Sequence, residues 1–242
     1  MGETNYDKGE GWYQEHFAHC ANKKVIGEFT PIYLHSPEVP ERIHKHFPEV
    51  KLIAILRNPI ERIYSHYMYT QLKGFYKLPS FEEVMEKERC FIEESSYYRH
   101  LQNYLKYFPR EQILITFYED IEKDPETFIK QILKFIGADE TFVPPSTHTT
   151  INPAGAVALR NKLLSIKDKI RSIPGGTLVT ELLKRTPLHK KLTDSLATKT
   201  GTIKTGYGKI NPETRRRLSE FYKEDTENLE KLLGRDLTSW KR

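Results

Sequence analysis

The sequence has little cysteine, no long apolar run and no leader-like N-terminus. Only Cys20 and Cys90 occur among its 242 residues, and two distant cysteines make neither a disulfide framework nor, alone, a four-ligand metal site. No apolar run approaches the roughly 20 residues that a membrane-spanning helix needs. The segment MGETNYDKGEGWYQEHF lacks the basic start and apolar stretch of a signal peptide. These absences predict a cytoplasmic protein with reduced thiols and no transmembrane segment.

Two kinds of ligand motif are also absent. His16 and His19 could share a helix face, and so could His44 and His46, but neither pair has the further partners that a metal site requires. The pattern Gly-x-x-x-x-Gly-Lys-Ser/Thr does not occur, although nucleotide kinases use it to bind phosphates. The sequence therefore predicts no metal site and argues against a nucleotide kinase.

The composition is that of a globular protein with an uneven charge distribution. Hydrophobic residues make up 38% and charged residues 29%, and the net charge is +5, which suits one large α/β domain. Residues 1–150 hold 18 basic and 23 acidic side chains, whereas residues 151–242 hold 20 and 10. The basic C-terminal third indicates either an anionic partner or a solvated helix face around Arg215, Arg216 and Arg217.

The order of elements predicts an α/β core. Residues 25–28 are typical of a strand end, residues 51–56 of a strand buried on both faces, and residues 112–117 of a second strand. Helices are predicted over 38–47 and 95–108 and after four capping signals. These signals are Asn58 with Pro59, Ser80 with Glu83, Asp124 with Pro125, and Asn211 with Pro212. The alternation favours a parallel sheet with right-handed crossovers.

The chemistry is concentrated around residues 56–67. A strand delivers Arg57 at its C-terminal tip, where ligands of open α/β sheets lie. The helix that begins at Pro59 offers unpaired N–H groups and a positive dipole end, and Ser65 lies two turns further on. A guanidinium beside a helix N-terminus suits a phosphate. The alternative is that Arg57 pairs with a surface carboxylate and Ser65 is merely tolerated in the helix.

This segment resembles the 3′-phosphate-binding motif of sulfotransferases that use 3′-phosphoadenosine 5′-phosphosulfate (PAPS), which has arginine at a strand end and serine eight residues later. Similar segments follow one another in the family's order over nearly the whole chain, more weakly at about 145–210. The similarity is greatest to the bacterial and heparan-sulfate-type branch. The segments are residues 5–13, 27–33, 108–137, 211–215 and 232–236.

The resemblance implies a fold and a reaction. The implied fold is a P-loop-NTPase-like parallel sheet flanked by helices, without its N-terminal strand and with a helical C-terminal third. It comprises one sulfotransferase-like domain, with an α/β core at 1–143, a loop-rich lid or acceptor region at 144–210 and terminal helices at 211–242. Arg57 and Ser65 would bind the 3′-phosphate of PAPS, which serves as co-substrate without a metal. A hydroxyl or amine acceptor, on a glycan, a lipid or a small molecule, would take the sulfuryl group.

Other positions depart from the family pattern. The family's Gly/Thr-rich loop with lysine, which wraps the 5′-phosphosulfate, has no counterpart before Lys24, and this suggests a truncated reading frame. Phe29 stands where some members carry lysine. Glu28 is a candidate acid or base but equally a structural carboxylate. Lys204, Tyr207 and Lys209 lie where relatives have a basic loop that closes over the donor. The alternative is that these residues belong to a surface loop with no role in donor binding.

Three functions therefore compete. The first is a PAPS-dependent sulfotransferase, weak or inactive if truncated. The second is a non-catalytic remnant that holds adenosine 3′,5′-bisphosphate. The third is a nucleic-acid-binding protein that uses the basic C-terminal third, but no nucleic-acid-binding motif occurs, so the sequence predicts no nucleic-acid partner.

Overall fold

The computed structural model describes residues 5–20, 22–73, 80–145, 147–148 and 210–241. Within these ranges helices predominate and two strands form the sheet. In chain order the elements are α1 (Gly9–Glu15), α2 (Val39–His46), β1 (Leu52–Leu56), α3 (Pro59–Lys73), α4 (Phe81–Lys87), α5 (Arg89–Glu93), α6 (Tyr97–Tyr104), β2 (Ile113–Phe117), α7 (Tyr118–Lys123), α8 (Pro125–Ile136) and α9 (Pro212–Leu233). Short 3₁₀ turns cover Asn5–Lys8, Ala18–Cys20, Pro31–His35, Arg110–Gln112 and Thr238–Lys241.

The chain divides into two compact units. Unit 1 comprises residues 1–55 and 103–144, and unit 2 comprises residues 56–102 and 145–242. The predicted subdivision at residues 143 and 210 stays a prediction, because most of the segment 144–210 lies outside the described residues.

Unit 1 contains the sheet, in which β1 lies beside β2. The Gln112 side chain donates to the carbonyls of Pro48 and Val50 at 2.9 and 3.1 Å, and this fixes the start of the pair. Along β2, the side chains of Ile113, Ile115 and Phe117 are buried. The prediction of two strands at 51–56 and 112–117 is confirmed.

Two strand predictions are wrong in detail. Residues 25–28 form no strand, because no described segment pairs with them and a strand requires a hydrogen-bonded neighbour. The strand β1 is not buried on both faces, since Ile53 and Ile55 are 39% and 43% exposed. Successive side chains of a strand point to opposite faces, so these two isoleucines place one face of β1 in solvent among the described residues.

Unit 2 is built around α3, α4, α5 and α9. Its core consists of buried apolar side chains from these helices and from Ile210, two residues before α9. They are Ile60, Ile63, Phe81, Val84, Phe91, Ile92, Ile210, Leu218 and Tyr222. The Tyr222 hydroxyl donates to the Ile92 carbonyl at 2.7 Å, so this buried polar atom is satisfied.

A carboxylate on α9 caps α6. Asp225 accepts hydrogen bonds from the backbone N–H groups of Tyr98 and Arg99 at 3.0 and 3.1 Å. The first N–H groups of a helix have no partner inside the helix, so Asp225 supplies one from a distant part of the chain. Burial raises the pKa of Asp225 above its ordinary value, although the two backbone hydrogen bonds act in the opposite direction.

The predicted helix starts are confirmed. At each one the capping side chain accepts a hydrogen bond from a backbone N–H of the first turn, and the four caps are Asn58, Ser80, Asp124 and Asn211. Gly137 and Gly234 follow α8 and α9 with φ of 75° and 60°. This left-handed conformation suits glycine and ends a helix.

Candidate functional site

The described candidate site residues are divided between the two units. Arg57 follows the last residue of β1 and Ser65 lies on α3, so both belong to unit 2. Glu28 belongs to unit 1. Lys204, Tyr207 and Lys209 lie outside the described residues, and their assignment to donor binding stays a prediction.

The N-terminus of α3 differs from expectation in one respect. The Asn58 side-chain oxygen accepts the N–H groups of Ile60 and Glu61 at 3.0 and 3.3 Å, and Pro59 has no N–H to offer. The helix therefore does not present the unpaired backbone donors that the sequence suggested, because its own cap occupies them. An anion placed here would interact with side chains and with the positive end of the helix dipole.

Ser65 lies on the side of α3 that faces away from the core. Ile60 and Ile63 are buried, and at 100° per residue Ser65 is rotated by about 140° and 200° from them. Its side chain is half-buried, as is that of Arg57. The helix therefore keeps the Ser65 hydroxyl out of the apolar core and available to a ligand beside α3.

Arg62 links α3 to the connection between α5 and α6. Its guanidinium donates to the Ser95 hydroxyl at 2.9 Å and to the Glu94 carboxylate at 3.0 Å. His66 Nδ1 lies 3.7 Å from the same carboxylate, and the His66 ring stacks on Phe91 with centroids 4.8 Å apart. These contacts join the middle of α3 to the α5–α6 connection, and the sequence carried no signal that paired residues so far apart.

A second ion pair neutralises a carboxylate beside Ser65. Glu61 and Ser65 are four residues apart and therefore neighbours on the helix surface. Arg215 of α9 donates to Glu61 at 2.6 Å. Glu61 thus brings little net negative charge to the side of α3 that carries Ser65.

The arginine run of α9 is largely committed to carboxylates. Arg215 bonds to Glu61, Arg216 lies 2.7 Å from Glu213, and Arg217 lies 3.9 Å from Glu86. Between the two interpretations of the basic C-terminal third, these contacts favour a paired and solvated helix face for this run.

Glu28 of unit 1 lies beside two tyrosines. Its carboxylate interacts electrostatically with the hydroxyls of Tyr13 and Tyr33. Burial, followed by the Glu28 charge, raises the pKa of Tyr13 to about 12 and also raises that of Tyr33. Tyr33 is anchored in turn, because its carbonyl accepts the Tyr104 hydroxyl at 2.8 Å. Glu28 is exposed, so its carboxylate is reachable from solvent.

The described residues carry neither a metal cluster nor a membrane span. No three His, Cys, Asp or Glu side chains in these ranges are placed to hold a metal ion. No described helix is both long and apolar enough to cross a bilayer.

Comparison with known proteins gives concordant results. A family model described as "Sulfotransferase domain" matches residues 28–174. The chain is 31% identical over 140 residues to heparan sulfate glucosamine 3-O-sulfotransferase 6 of Mus musculus, which covers 54% of this chain and 41% of the mouse protein. It is 32% identical over 154 residues to the human bifunctional heparan sulfate N-deacetylase/N-sulfotransferase 3, with coverages of 57% and 17%. The chain thus spans less than half of each relative.

A solved structure shows the same fold. The sulfotransferase from Alicyclobacillus acidocaldarius superposes with a TM-score of 0.67 at 22% identity, covering 97% of this chain and 75% of that one. The predicted fold class, a P-loop-NTPase-like parallel sheet flanked by helices with a helical C-terminal region, is confirmed.

Proposed function

The chain belongs to the sulfotransferase domain family, and from this premise we propose that it transfers a sulfuryl group from PAPS to a hydroxyl or amine acceptor. One observation supports the donor site above the others. Arg57 follows β1 directly, the Asn58-capped α3 begins beside it, and Ser65 lies on the side of α3 away from the core. An arginine at the positive end of a helix, with a hydroxyl two turns further along that helix, suits a phosphate group.

In this proposal Arg57 contributes a positive charge to donor binding, and Ser65 contributes a hydrogen bond that positions the phosphate. The Arg57 guanidinium binds the 3′-phosphate through charge-assisted hydrogen bonds, and the Ser65 hydroxyl donates to a second phosphate oxygen. In the transfer itself the acceptor attacks sulfur in line, the bond from sulfur to the phosphate oxygen breaks, and adenosine 3′,5′-bisphosphate leaves. As in phosphoryl transfer, positioning and charge stabilisation supply most of the rate.

Glu28 is the proposed acid or base, and two tyrosine hydroxyls lie beside its carboxylate. A base must reach the proton that it removes, and the exposed Glu28 carboxylate is open to an acceptor bound at unit 1. The opposing interpretation is structural: Glu28 joins α1 to the turn at Pro31–His35. A pH profile of Glu28→Gln separates the two, because a structural carboxylate leaves the profile unchanged.

The names of the relatives suggest which acceptor to test first. They are heparan sulfate enzymes, one a glucosamine 3-O-sulfotransferase and the other an N-deacetylase and N-sulfotransferase. We therefore propose a glucosamine-containing glycan, with lipid headgroups and small metabolites as the alternative classes. The proposed location is the cytoplasm.

We expect the purified chain to transfer radiolabelled sulfate from PAPS to an unsulfated glucosamine-containing polysaccharide. At PAPS concentrations below saturation, Arg57→Ala should reduce this transfer at least about 30-fold, because it removes the charge that holds the donor. The assay measures label retained on the polysaccharide after separation from the nucleotide, with Arg216→Ala as the charge-matched control. Binding of adenosine 3′,5′-bisphosphate without any transfer would instead establish the second candidate, a non-catalytic nucleotide-binding remnant.

Arg215→Ala should weaken the binding of adenosine 3′,5′-bisphosphate about two- to fivefold. This substitution leaves Glu61 without its partner beside Ser65, so the carboxylate repels the bound phosphate, and exposed pairs of this kind have effects of this size. Isothermal titration calorimetry measures the dissociation constant. The matched double variant Glu61→Gln/Arg215→Ala should restore affinity, and an equal loss in both variants would contradict an electrostatic origin.

A further inference from the structure

A hydrogen-bonded chain of side chains in unit 1 lies outside the proposed nucleotide site. The Tyr6 hydroxyl is 3.1 Å from His46 Nε2, and His46 Nδ1 is 3.4 Å from a Glu10 carboxylate oxygen. Tyr6 lies in the 3₁₀ turn Asn5–Lys8 and Glu10 lies in α1. His46 is the last residue of α2. Acid, imidazole and hydroxyl thus stand in the order that activates a nucleophile in hydrolytic enzymes.

With Glu10 ionised and His46 neutral, the two hydrogen bonds can run in only one direction. An ionised carboxylate only accepts, so His46 Nδ1 carries the hydrogen that is donated to Glu10. In the neutral imidazole Nε2 then has a free lone pair, and the Tyr6 hydroxyl donates to it. The ring is therefore in the tautomer that can take the phenolic proton, and Glu10 is placed to stabilise the imidazolium that results.

A cation also faces the tyrosine ring. The Arg42 guanidinium carbon lies 4.4 Å from the Tyr6 ring centroid, one helical turn before His46 on α2. Arg42 has a weak ion pair with Glu38 at 3.9 Å. A guanidinium over the ring favours the negative charge that develops on the phenol oxygen as its proton leaves. Tyr6 is itself 41% exposed, so an electrophile can reach it.

We propose that Tyr6 is an activated nucleophile that takes up sulfuryl groups, with His46 as its base and Glu10 as the group that orients the base. In the step, Tyr6 Oη forms a bond to sulfur while the bond from sulfur to its leaving group breaks, and the electron pair departs with that group. The phenolic proton passes to His46 Nε2. With an aryl sulfonyl fluoride the leaving group is fluoride, and with a phosphosulfate anhydride it is the phosphate group, which leaves with the bridging oxygen.

This inference is independent of the proposed function. It concerns the reactivity of one hydroxyl toward electrophiles at hexavalent sulfur, which an aryl sulfonyl fluoride tests without any nucleotide. A chain that fails to transfer sulfate from PAPS would still show it, and a chain that sulfates a glycan could lack it.

The experiment exposes the full chain to a small aryl sulfonyl fluoride and follows labelling by mass spectrometry after tryptic digestion. Residues 1–8 form one tryptic peptide with Tyr6 as its single tyrosine. Tyr69, which is 47% exposed, serves as the comparison of similar accessibility. General-base assistance contributes about 10²–10⁴ in enzymes, so we expect Tyr6 to react at least tenfold faster than Tyr69.

Three variants test whether His46 and Glu10 cause the high reactivity of Tyr6. His46→Gln should bring Tyr6 labelling down to the rate of Tyr69, Glu10→Gln should reduce it severalfold, and Tyr6→Phe should abolish label on peptide 1–8. All three positions are accessible to solvent, and circular dichroism checks that the variants stay folded. Equal labelling of Tyr6 and Tyr69 in the unaltered chain, or full labelling in His46→Gln, would overturn the proposal.

Discussion

Arg57→Ala should remove most of the thermal stabilisation that adenosine 3′,5′-bisphosphate gives to the chain. A ligand that binds only the native state stabilises it by about 2.7 kcal/mol at 100 times its dissociation constant. Loss of one partner of a hydrogen-bonded charge pair costs about 2–5 kcal/mol, which raises the dissociation constant roughly 30-fold or more. At the same ligand concentration, the stabilisation should then fall below about 1 kcal/mol. A thermal-shift titration measures it.

Three variants make this result interpretable. Arg57→Lys keeps the charge but loses the planar guanidinium group. Its stabilisation by the nucleotide should therefore lie between that of the unaltered chain and that of Arg57→Ala. Ser65→Ala loses one hydrogen bond to a charged group, worth about 1.5–3 kcal/mol. Arg216→Ala removes an exposed charge of the same unit that pairs with Glu213, and it should bind normally. If Arg57→Ala keeps the full shift, the phosphate does not bind there, and the proposed donor site is wrong.

Ile63→Ala should destabilise unit 2 by about 2–5 kcal/mol. Ile63 is completely buried in the core of unit 2, so alanine removes three carbon atoms from a close-packed region and leaves a cavity. The same helix carries Ser65, so a loosened α3 should also weaken nucleotide binding. Urea unfolding followed by circular dichroism measures the change in the free energy of unfolding.

The matched control is Ile63→Val, which removes one methylene group and should cost about 0.5–1.5 kcal/mol. Tyr69→Ala, on an exposed part of the same helix, should have a smaller effect than Ile63→Ala because no buried volume is lost. An equal loss in the free energy of unfolding for Ile63→Val and Ile63→Ala would show that the side chains around α3 move in to fill the cavity. The region would then not be tightly packed.

At the proposed phosphate site, part of the local structure was predictable from the sequence. The pattern around Arg57 predicted an arginine at a strand end, a capped helix and a serine two turns later, and the structure has each of them. The interpretation of the helix N-terminus was wrong, because Asn58 both caps α3 and occupies two of its N–H groups. A cap and an anion compete for the same donors, and the distances in the structure show which of them holds those donors.

The helix ends were determined by the sequence alone. Asn58, Ser80, Asp124 and Asn211 bond to backbone groups two or three residues away, and Gly137 and Gly234 adopt a conformation that other residues avoid. Such interactions are local, so the residue types and their spacing suffice to predict them.

The tertiary structure alone decided which side chains meet and which faces are covered. The pairs Arg62–Glu94, Arg215–Glu61 and Tyr6–His46 join residues 32, 154 and 40 positions apart. The exposure of Ile53 and Ile55 likewise depends on what packs against β1. Spacing along the chain carries no information about these contacts, because they depend on how distant elements pack, and packing is a property of the folded chain.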